Sequence, residues 1–156
     1  MTLLVCGSRT YSNARVMEQI IRQLNPDTII QGGASGADEL AITIAEKLGI
    51  FCETYEADWK RFGKRAGYLR NKRMLDQGKP DMVVAFYDGW KTKGTAMMIR
   101  LAKEALVLVK EYGLKGKTQR KDMQYYEGEP EVNEDEQLRE LLEIFNDGIG
   151  RTVDLG

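Results

Sequence analysis

The sequence contains no histidine, and this absence excludes several common catalytic arrangements. Without an imidazole the chain cannot build a serine-histidine-aspartate triad, a cysteine-histidine pair or a histidine-ligated zinc site. Its two cysteines, Cys6 and Cys52, fit neither a disulfide framework nor a paired-cysteine metal motif, and we interpret both as buried strand residues. Any chemistry therefore depends on carboxylates, lysine, tyrosine, backbone dipoles or a metal held by oxygen ligands. We predict neither a metal site nor a cofactor.

Long apolar segments are also missing from the chain. No stretch approaches the roughly 18 residues that cross a bilayer, and the N-terminus does not have the pattern of a secretory signal. We therefore predict a cytoplasmic protein without membrane contact. At 156 residues and 42% hydrophobic content, the chain is long enough for one globular domain with a substantial core.

Five short segments have the composition of strands, and helical patterns alternate with them. The strand segments are residues 3–6, 28–30, 51–55, 81–87 and 105–109. Helical spacing of apolar residues covers residues 13–24, 41–49 and about 95–105. This alternation predicts an α/β fold in which helices cover both faces of one parallel sheet.

The turn after the second predicted strand is rich in glycine. It consists of Gly32, Gly33, Ala34, Ser35, Gly36, Ala37 and Asp38. Glycines allow positive φ and a close approach to another molecule, and the free N–H groups of the following helix favour an anion such as phosphate. The plainer interpretation is that these glycines only turn the chain.

Two other predicted strands end in short polar motifs. Gly7-Ser8-Arg9 follows the first strand, and Lys93-Gly94-Thr95 opens the helix after the fourth. In open parallel sheets, ligands bind beyond the carboxyl ends of the strands, where the strand order reverses. We therefore expect both motifs and the glycine-rich turn to line one rim.

A basic segment lies between the third and fourth predicted strands. Residues 59–75 contain seven Lys and Arg side chains and no acid, with Trp59, Phe62 and Tyr68 among them. A solvated basic helix face is one interpretation. The other is a surface that contacts phosphates and bases, because aromatic side chains between cations stack on bases. The sequence leaves both open.

The composition changes after residue 112, so we predict a domain over residues 1–112 and an extension over 113–156. The extension holds a basic connector (115–121), an acidic stretch (127–136) and apolar residues at the spacing of one helical face. Those residues are Leu138, Leu141, Leu142 and Phe145. We expect this helix to pack on its own domain, with a homodimer contact as the alternative.

The motifs occur together in an order that is more specific than any one of them. In chain order they are Gly7-Ser8-Arg9, the glycine-rich turn, Ala57-Asp58-Trp59, Ala66-Gly67, Arg70-Asn71 with Met74, and Gly94-Thr95. In this set the chain resembles the SLOG superfamily over residues 3 to about 110, and above all its stand-alone branch related to YspA and YpsA. The resemblance implies a Rossmann-like, three-layer fold with strand order 3-2-1-4-5, followed here by the C-terminal helical extension.

The same resemblance implies a nucleotide or nucleotide-derived ligand over the carboxyl end of the sheet. The glycine-rich turn and the Gly94-Thr95 helix start would cradle phosphate, while Arg9 and Arg70 supply charge and Asn71 supplies hydrogen bonds. The residues so implied in binding are Gly7, Ser8, Arg9, Gly32, Gly33, Ala34, Ser35, Gly36, Asp38, Arg70, Asn71, Lys93, Gly94 and Thr95.

One group of SLOG relatives suggests an enzyme. The lonely-guy phosphoribohydrolases release a base from a nucleoside monophosphate, and their catalytic glutamate follows three residues after the threonine of the glycine-threonine helix start. That position is Met98 here, and a thioether cannot stabilise an oxocarbenium-like centre or transfer a proton. A hydrolase would need Asp38, Glu39 or Asp88 as a substitute.

Another relative suggests a nucleic-acid partner. The DNA-processing protein A family binds single-stranded DNA and has elements similar to Gly7-Ser8-Arg9, Gly36-Ala37-Asp38 and Arg70-Asn71. The basic segment agrees with such a partner, whereas the formal net charge of -1 and the acidic stretch do not. We therefore expect a nucleotide-binding, ligand-sensing module, with nucleoside monophosphate hydrolysis and single-stranded DNA binding as the alternatives.

Overall fold

The computed structural model describes residues 1–89 and 91–113 of the chain. Five parallel strands form one sheet in the order β3-β2-β1-β4-β5. The strands are β1 (Thr2–Gly7), β2 (Thr28–Gln31), β3 (Phe51–Thr54), β4 (Met82–Phe86) and β5 (Leu108–Tyr112). This confirms the predicted α/β, Rossmann-like fold with order 3-2-1-4-5. The order reverses between β1 and β4, so their carboxyl ends form the switch point.

Five helices connect and cover these strands. They are α1 (Ala14–Leu24), α2 (Ala37–Leu48), α3 (Trp59–Phe62), α4 (Ala66–Asp76) and α5 (Lys93–Glu104), with a 3-10 turn at Gly63–Arg65. Buried residues of α1 and α2 pack with Leu3 and Val5 of β1. Leu4 and Cys6, which point to the other face, pack with residues of α4 and α5. The result is a three-layer domain with a core on each face of the sheet.

The fifth strand lies further along the chain than the segment predicted for it, residues 105–109. It begins at Leu108, because α5 ends at Glu104 and the chain then turns. Leu106 adopts a left-handed conformation with φ 59°, and the N–H of Val107 donates to the Ala102 carbonyl at 2.9 Å. The first residues of the predicted strand, 105–107, thus form the turn that ends α5, and the strand begins after them.

The prediction that both cysteines are buried holds for one of them. Cys6 lies in the central strand β1 and is buried, whereas Cys52 is half-buried. The difference arises because β3 is an edge strand. It has a neighbouring strand, β2, on one side only, so its residues are less covered than those of β1. Both thiols are free.

No helix in the described ranges is long and apolar enough to cross a bilayer. The predicted basic connector, acidic stretch and C-terminal helix fall in residues 114–156 and lie outside the described residues. The homodimer alternative depends on the same segment.

Candidate ligand-binding site

A cleft of about 360 Å³ opens at the carboxyl edge of the sheet, at the switch point between β1 and β4. The ends of β1 and β2, one side of α4 and the start of α5 line it. It brings together ten of the predicted site residues: Gly7, Arg9, Gly32, Ala34, Asp38, Arg70, Asn71, Lys93, Gly94 and Thr95. Strand ends that are far apart in sequence thus converge on one cavity.

The other four predicted residues, Ser8, Gly33, Ser35 and Gly36, do not line the cleft. Ser8 is buried, and its hydroxyl donates to the Asp88 carboxylate at 2.6 Å. Gly36 has φ 74°, and a side chain there would collide with the backbone of Ser8 and Arg9. Ser8 and Gly36 thus lie where two loops at the edge of the cleft pack against each other.

Three of the seven N–H groups of the glycine-rich turn bond acceptors within the protein. Gly33 N–H donates to Gln31 Oε1 at 2.6 Å, Ala34 N–H donates to Asp38 Oδ2 at 3.1 Å, and Ala37 N–H donates to the Ser8 carbonyl at 3.1 Å. The anion closest to this turn is therefore the carboxylate of the chain's own Asp38.

The start of α5 offers a more open end. Thr92 is the N-cap, and its Oγ1 accepts from Thr95 N–H at 3.2 Å. The N–H groups of Lys93 and Gly94 have no acceptor among the described residues, and the first turn carries no acid. A Cβ at Gly94 would meet nothing closer than Thr92 Oγ1 at 4.0 Å. The helix dipole and these donors favour an anion at this end.

Arg70 projects from α4 into the same cleft. Its Nη1 donates to the Gly32 carbonyl at 2.6 Å, and its Nε donates to Asn71 Oδ1 at 2.8 Å. Burial lowers the pKa of Arg70 and the neighbouring Asp38 carboxylate opposes that shift, so the guanidinium remains charged at neutral pH. One backbone contact and one side-chain contact thus fix the orientation of this cation beside Gly32.

Among the residues that the structure describes, Asp38 is the one acid that lines the cleft, and Arg9, Arg70 and Lys93 are the bases. Its side chain is 7% exposed. Burial raises the pKa of Asp38, although the Ala34 N–H and the Arg70 guanidinium act against this shift. A buried carboxylate with a raised pKa inside a cleft is a candidate functional group.

The position where the resemblance implies a catalytic glutamate is occupied by a buried methionine. Met98 is 1% exposed and lines the cleft. Of the three carboxylates that could substitute for the glutamate, Glu39 and Asp88 do not line the cleft. Asp88 instead accepts from the hydroxyls of Ser8 and Thr10. Asp38 is the remaining candidate.

Several lining residues were not predicted from the sequence: Val5, Cys6, Met74 and Thr92. Thr92 had a usable signal, because threonine is a favoured N-cap and here precedes a helix start. No pattern in the sequence pointed to Cys6 as a lining residue. Burial, together with the Asp38 carboxylate, raises the pKa of its thiol well above the usual range. The Cys6 sulfur is therefore a neutral wall of the cleft and not a nucleophile.

Within residues 1–89 and 91–113, no group of three or more Cys, Asp or Glu side chains is arranged to hold a metal ion. In the described part of the chain, Asp38 is the one carboxylate that lines the cleft, and it accepts a hydrogen bond from the Ala34 N–H.

Two comparisons with known sequences identify the family. Residues 1–62 match the model of the YspA, cpYpsA-related SLOG family. The chain is also 32% identical over 121 residues to the Gene 61 protein of Mycobacterium phage D29. This alignment covers 71% of this chain and 95% of the phage protein. The chain belongs to the YspA-related SLOG family. The part of this chain that matches the SLOG family model, residues 1–62, includes β1, the glycine-rich turn and α3.

A solved structure supports the same fold for this SLOG chain. DNA processing protein A (DprA) from Streptococcus pneumoniae superimposes with a TM-score of 0.57 at 18% sequence identity. The alignment covers 91% of this chain and 56% of the DprA chain. This SLOG protein therefore spans little more than half the length of DprA, and the likeness concerns the fold.

We expect Asp38→Asn to stabilise the protein at neutral pH. The folded state binds the Asp38 proton more tightly than the unfolded state does, so the ionised carboxylate costs stability above its raised pKa. An amide avoids that cost and its oxygen still accepts the Ala34 N–H. Thermal unfolding should show a rise in Tm of about 2–4 °C at pH 7.

The rise should shrink as the pH falls through the raised pKa of Asp38 towards about 3.9, where both folded and unfolded states of the wild type bind the proton. Glu39→Gln, in the same helix turn but exposed and outside the cleft, is the control and should change Tm little. A lower Tm for Asp38→Asn at pH 7 would show that the carboxylate stabilises the turn.

Proposed function

We propose that this protein binds a nucleotide or a nucleotide-derived, phosphate-bearing ligand in the cleft and acts as a ligand-sensing module. Membership of the SLOG family supports a nucleotide- or DNA-related function in general. The observation that carries the finer proposal is the open start of α5, with Lys93 in its first turn, in a cleft that Arg9 and Arg70 also line. Open N–H donors and three cationic side chains in one cleft suit a phosphate.

The phosphate end of the ligand lies at α5 and not in the glycine-rich turn. Both helices begin at the cleft, but α2 carries Asp38 and Glu39 in its first turn, whereas α5 carries Lys93 and no acid. Anions are repelled by the first arrangement and attracted by the second. The turn N–H groups that already bond Gln31 and Asp38 are also no longer available.

The side of the cleft near Asp38 and Asn71 suits a sugar. Asp38 presents a carboxylate, which accepts hydrogen bonds from hydroxyl groups, and the amide of the buried Asn71 can donate or accept. A ribose places two hydroxyls a short distance from its phosphate. The open start of α5 and a carboxylate in one cavity therefore match a ribose phosphate, and we infer that the buried Asp38 carboxylate, whose ionisation costs stability, serves this contact.

Binding without hydrolysis follows from the chemistry of the lining. The thioether of Met98 occupies the place where the phosphoribohydrolase relatives carry a glutamate, and it offers neither charge nor proton. Asp38 lies at the start of α2, where its carboxylate is held by the Ala34 N–H. The cleft thus has groups that recognise a nucleotide and lacks the group that would break its glycosidic bond in those relatives.

The binding proposal is tested with Gly94→Val. Because space surrounds Gly94, valine should leave the fold intact but obstruct a phosphate at the helix start. With AMP, GMP, CMP, UMP and ADP as probes, calorimetry should give saturable binding to the wild type and a loss of about tenfold or more in the variant. Arg70→Lys should also bind more weakly, since lysine lacks the planar, bidentate donor set.

Arg100→Ala is the matched control, because Arg100 lies on the same helix as Gly94 but is 63% exposed and outside the cleft. It should bind the probes as the wild type does. If no nucleotide in the panel binds the wild type or raises its Tm, the proposal is wrong.

The absence of hydrolysis is tested by following base release from nucleoside monophosphates. We expect none from the wild type above the rate in buffer, because no carboxylate occupies the Met98 position. Base release by the wild type that is lost in Asp38→Asn and retained in Glu39→Gln would contradict this. It would make the protein an enzyme with a relocated carboxylate.

A further inference from the structure

An exposed surface of aromatic and basic side chains adjoins the cleft. We call it the aromatic-basic surface, and it consists of Trp59, Phe62 and Tyr68 with Lys60, Arg61, Lys64 and Arg65. Trp59 is 55% exposed, Phe62 40% and Tyr68 39%. Neither α3 nor the following 3-10 turn buries any residue. This segment therefore contributes its aromatic side chains to a surface and not to the core.

A solvated basic face accounts for the cations of this surface but not for its aromatic rings. Large aromatic side chains gain most when they are removed from water, and three of them left exposed within ten residues indicate a binding surface. The guanidinium of Arg61 already lies 5.0 Å from the centroid of the Phe62 ring. Cations and rings are thus interleaved here, as they are where proteins bind single-stranded nucleotides.

The helix α4 joins this surface directly to the cleft. A Cβ at Gly67 would lie 3.4 Å from Cη2 of Trp59, so the indole ring covers Gly67. Residues three and four positions apart lie on one face of a helix, and the residues at those distances from Gly67 are Arg70 and Asn71. Both line the cleft. The ring of Trp59 therefore lies one helical turn from Arg70 and Asn71, which are proposed to bind the nucleotide in the cleft.

The charge of the described domain fits a larger anion than one phosphate. Residues 1–113 carry 17 Lys and Arg against 13 Asp and Glu, and residues 114–156 carry 6 against 11. The near-neutral charge of the whole chain is thus the sum of a basic domain and an acidic extension. Seven of the domain's cations and none of its acids lie between residues 59 and 75.

We propose that the ligand contains two linked nucleotides, of which the second leaves the cleft past Arg70 and stacks its base on Trp59. This deepens the proposed function and rests on it. The bridging phosphate meets Lys60, Lys64 and Arg65, and the stacking contact accepts any base because every base has a π-face. Two kinds of ligand offer this bridging phosphate and second base: a free dinucleotide and the end of a single strand.

The test compares AMP with the 5′-phosphorylated dinucleotide pApA by calorimetry. The wild type should bind pApA about 5- to 150-fold more tightly than AMP, the range expected for one stacked base. Trp59→Ala should reduce pApA binding to the level of AMP and leave AMP binding unchanged. Trp59→Phe should retain part of the gain, because a smaller ring still stacks. Equal affinity of the wild type for AMP and pApA would overturn the inference.

Phe51→Ala is the matched control. Phe51 is 65% exposed but opens β3 at the amino edge of the sheet, away from the cleft, so its loss should leave the gain for pApA intact. A 5′-phosphorylated adenine 12-mer distinguishes the two sources. Affinity equal to that of pApA indicates a free dinucleotide, and tighter binding with a steep salt dependence indicates a single strand. If neither AMP nor pApA binds, the proposed function itself fails, whereas binding of AMP with no gain for pApA refutes this inference alone.

Discussion

The hydrogen bond from Ala37 N–H to the Ser8 carbonyl holds together the two loops on which the site depends. It joins the end of β1 to the start of α2, and Gly36 is required there because any side chain would collide with the backbone of Ser8 and Arg9. The Ser8 hydroxyl extends the same link to Asp88 beyond β4. The carboxyl ends of β1, β2 and β4 are thereby fixed relative to one another, and the cleft is the space between them.

Within that frame, the two helix starts at the cleft have opposite electrostatic roles. The glycine-rich turn closes around Asp38, an anion supplied by the protein, whereas α5 begins with a threonine cap, Lys93 and donors open to a ligand. The carboxylate of Asp38 is buried, which raises its pKa and costs the fold stability when it is ionised. We propose that a charge kept at such a cost serves to recognise a ligand whose phosphate lies at the start of α5.

Much of the fold could be predicted from the sequence, because alternating strand and helix patterns leave few topologies, and the strand order followed from the resemblance to SLOG proteins. The convergence of the motifs near Gly7, Gly32 and Gly94 followed from their positions after strands. What could not be predicted was the direction of individual groups. Ser8 donates to a carboxylate 80 residues away, and Asp38 accepts from the Ala34 N–H, which the sequence pattern assigned to a phosphate. These choices depend on tertiary contacts that no local pattern records.

The central claim is that the phosphate of a bound nucleotide sits at the start of α5 and not in the glycine-rich turn. The most direct measurement is a titration of the ¹⁵N-labelled protein with AMP, followed through its backbone amide resonances. The account predicts the largest shifts at Lys93, Gly94 and Thr95, where the amides receive the phosphate. It would be contradicted if the largest shifts fell on Gly33 and Ala34, or if saturating AMP left the amides of the cleft unchanged.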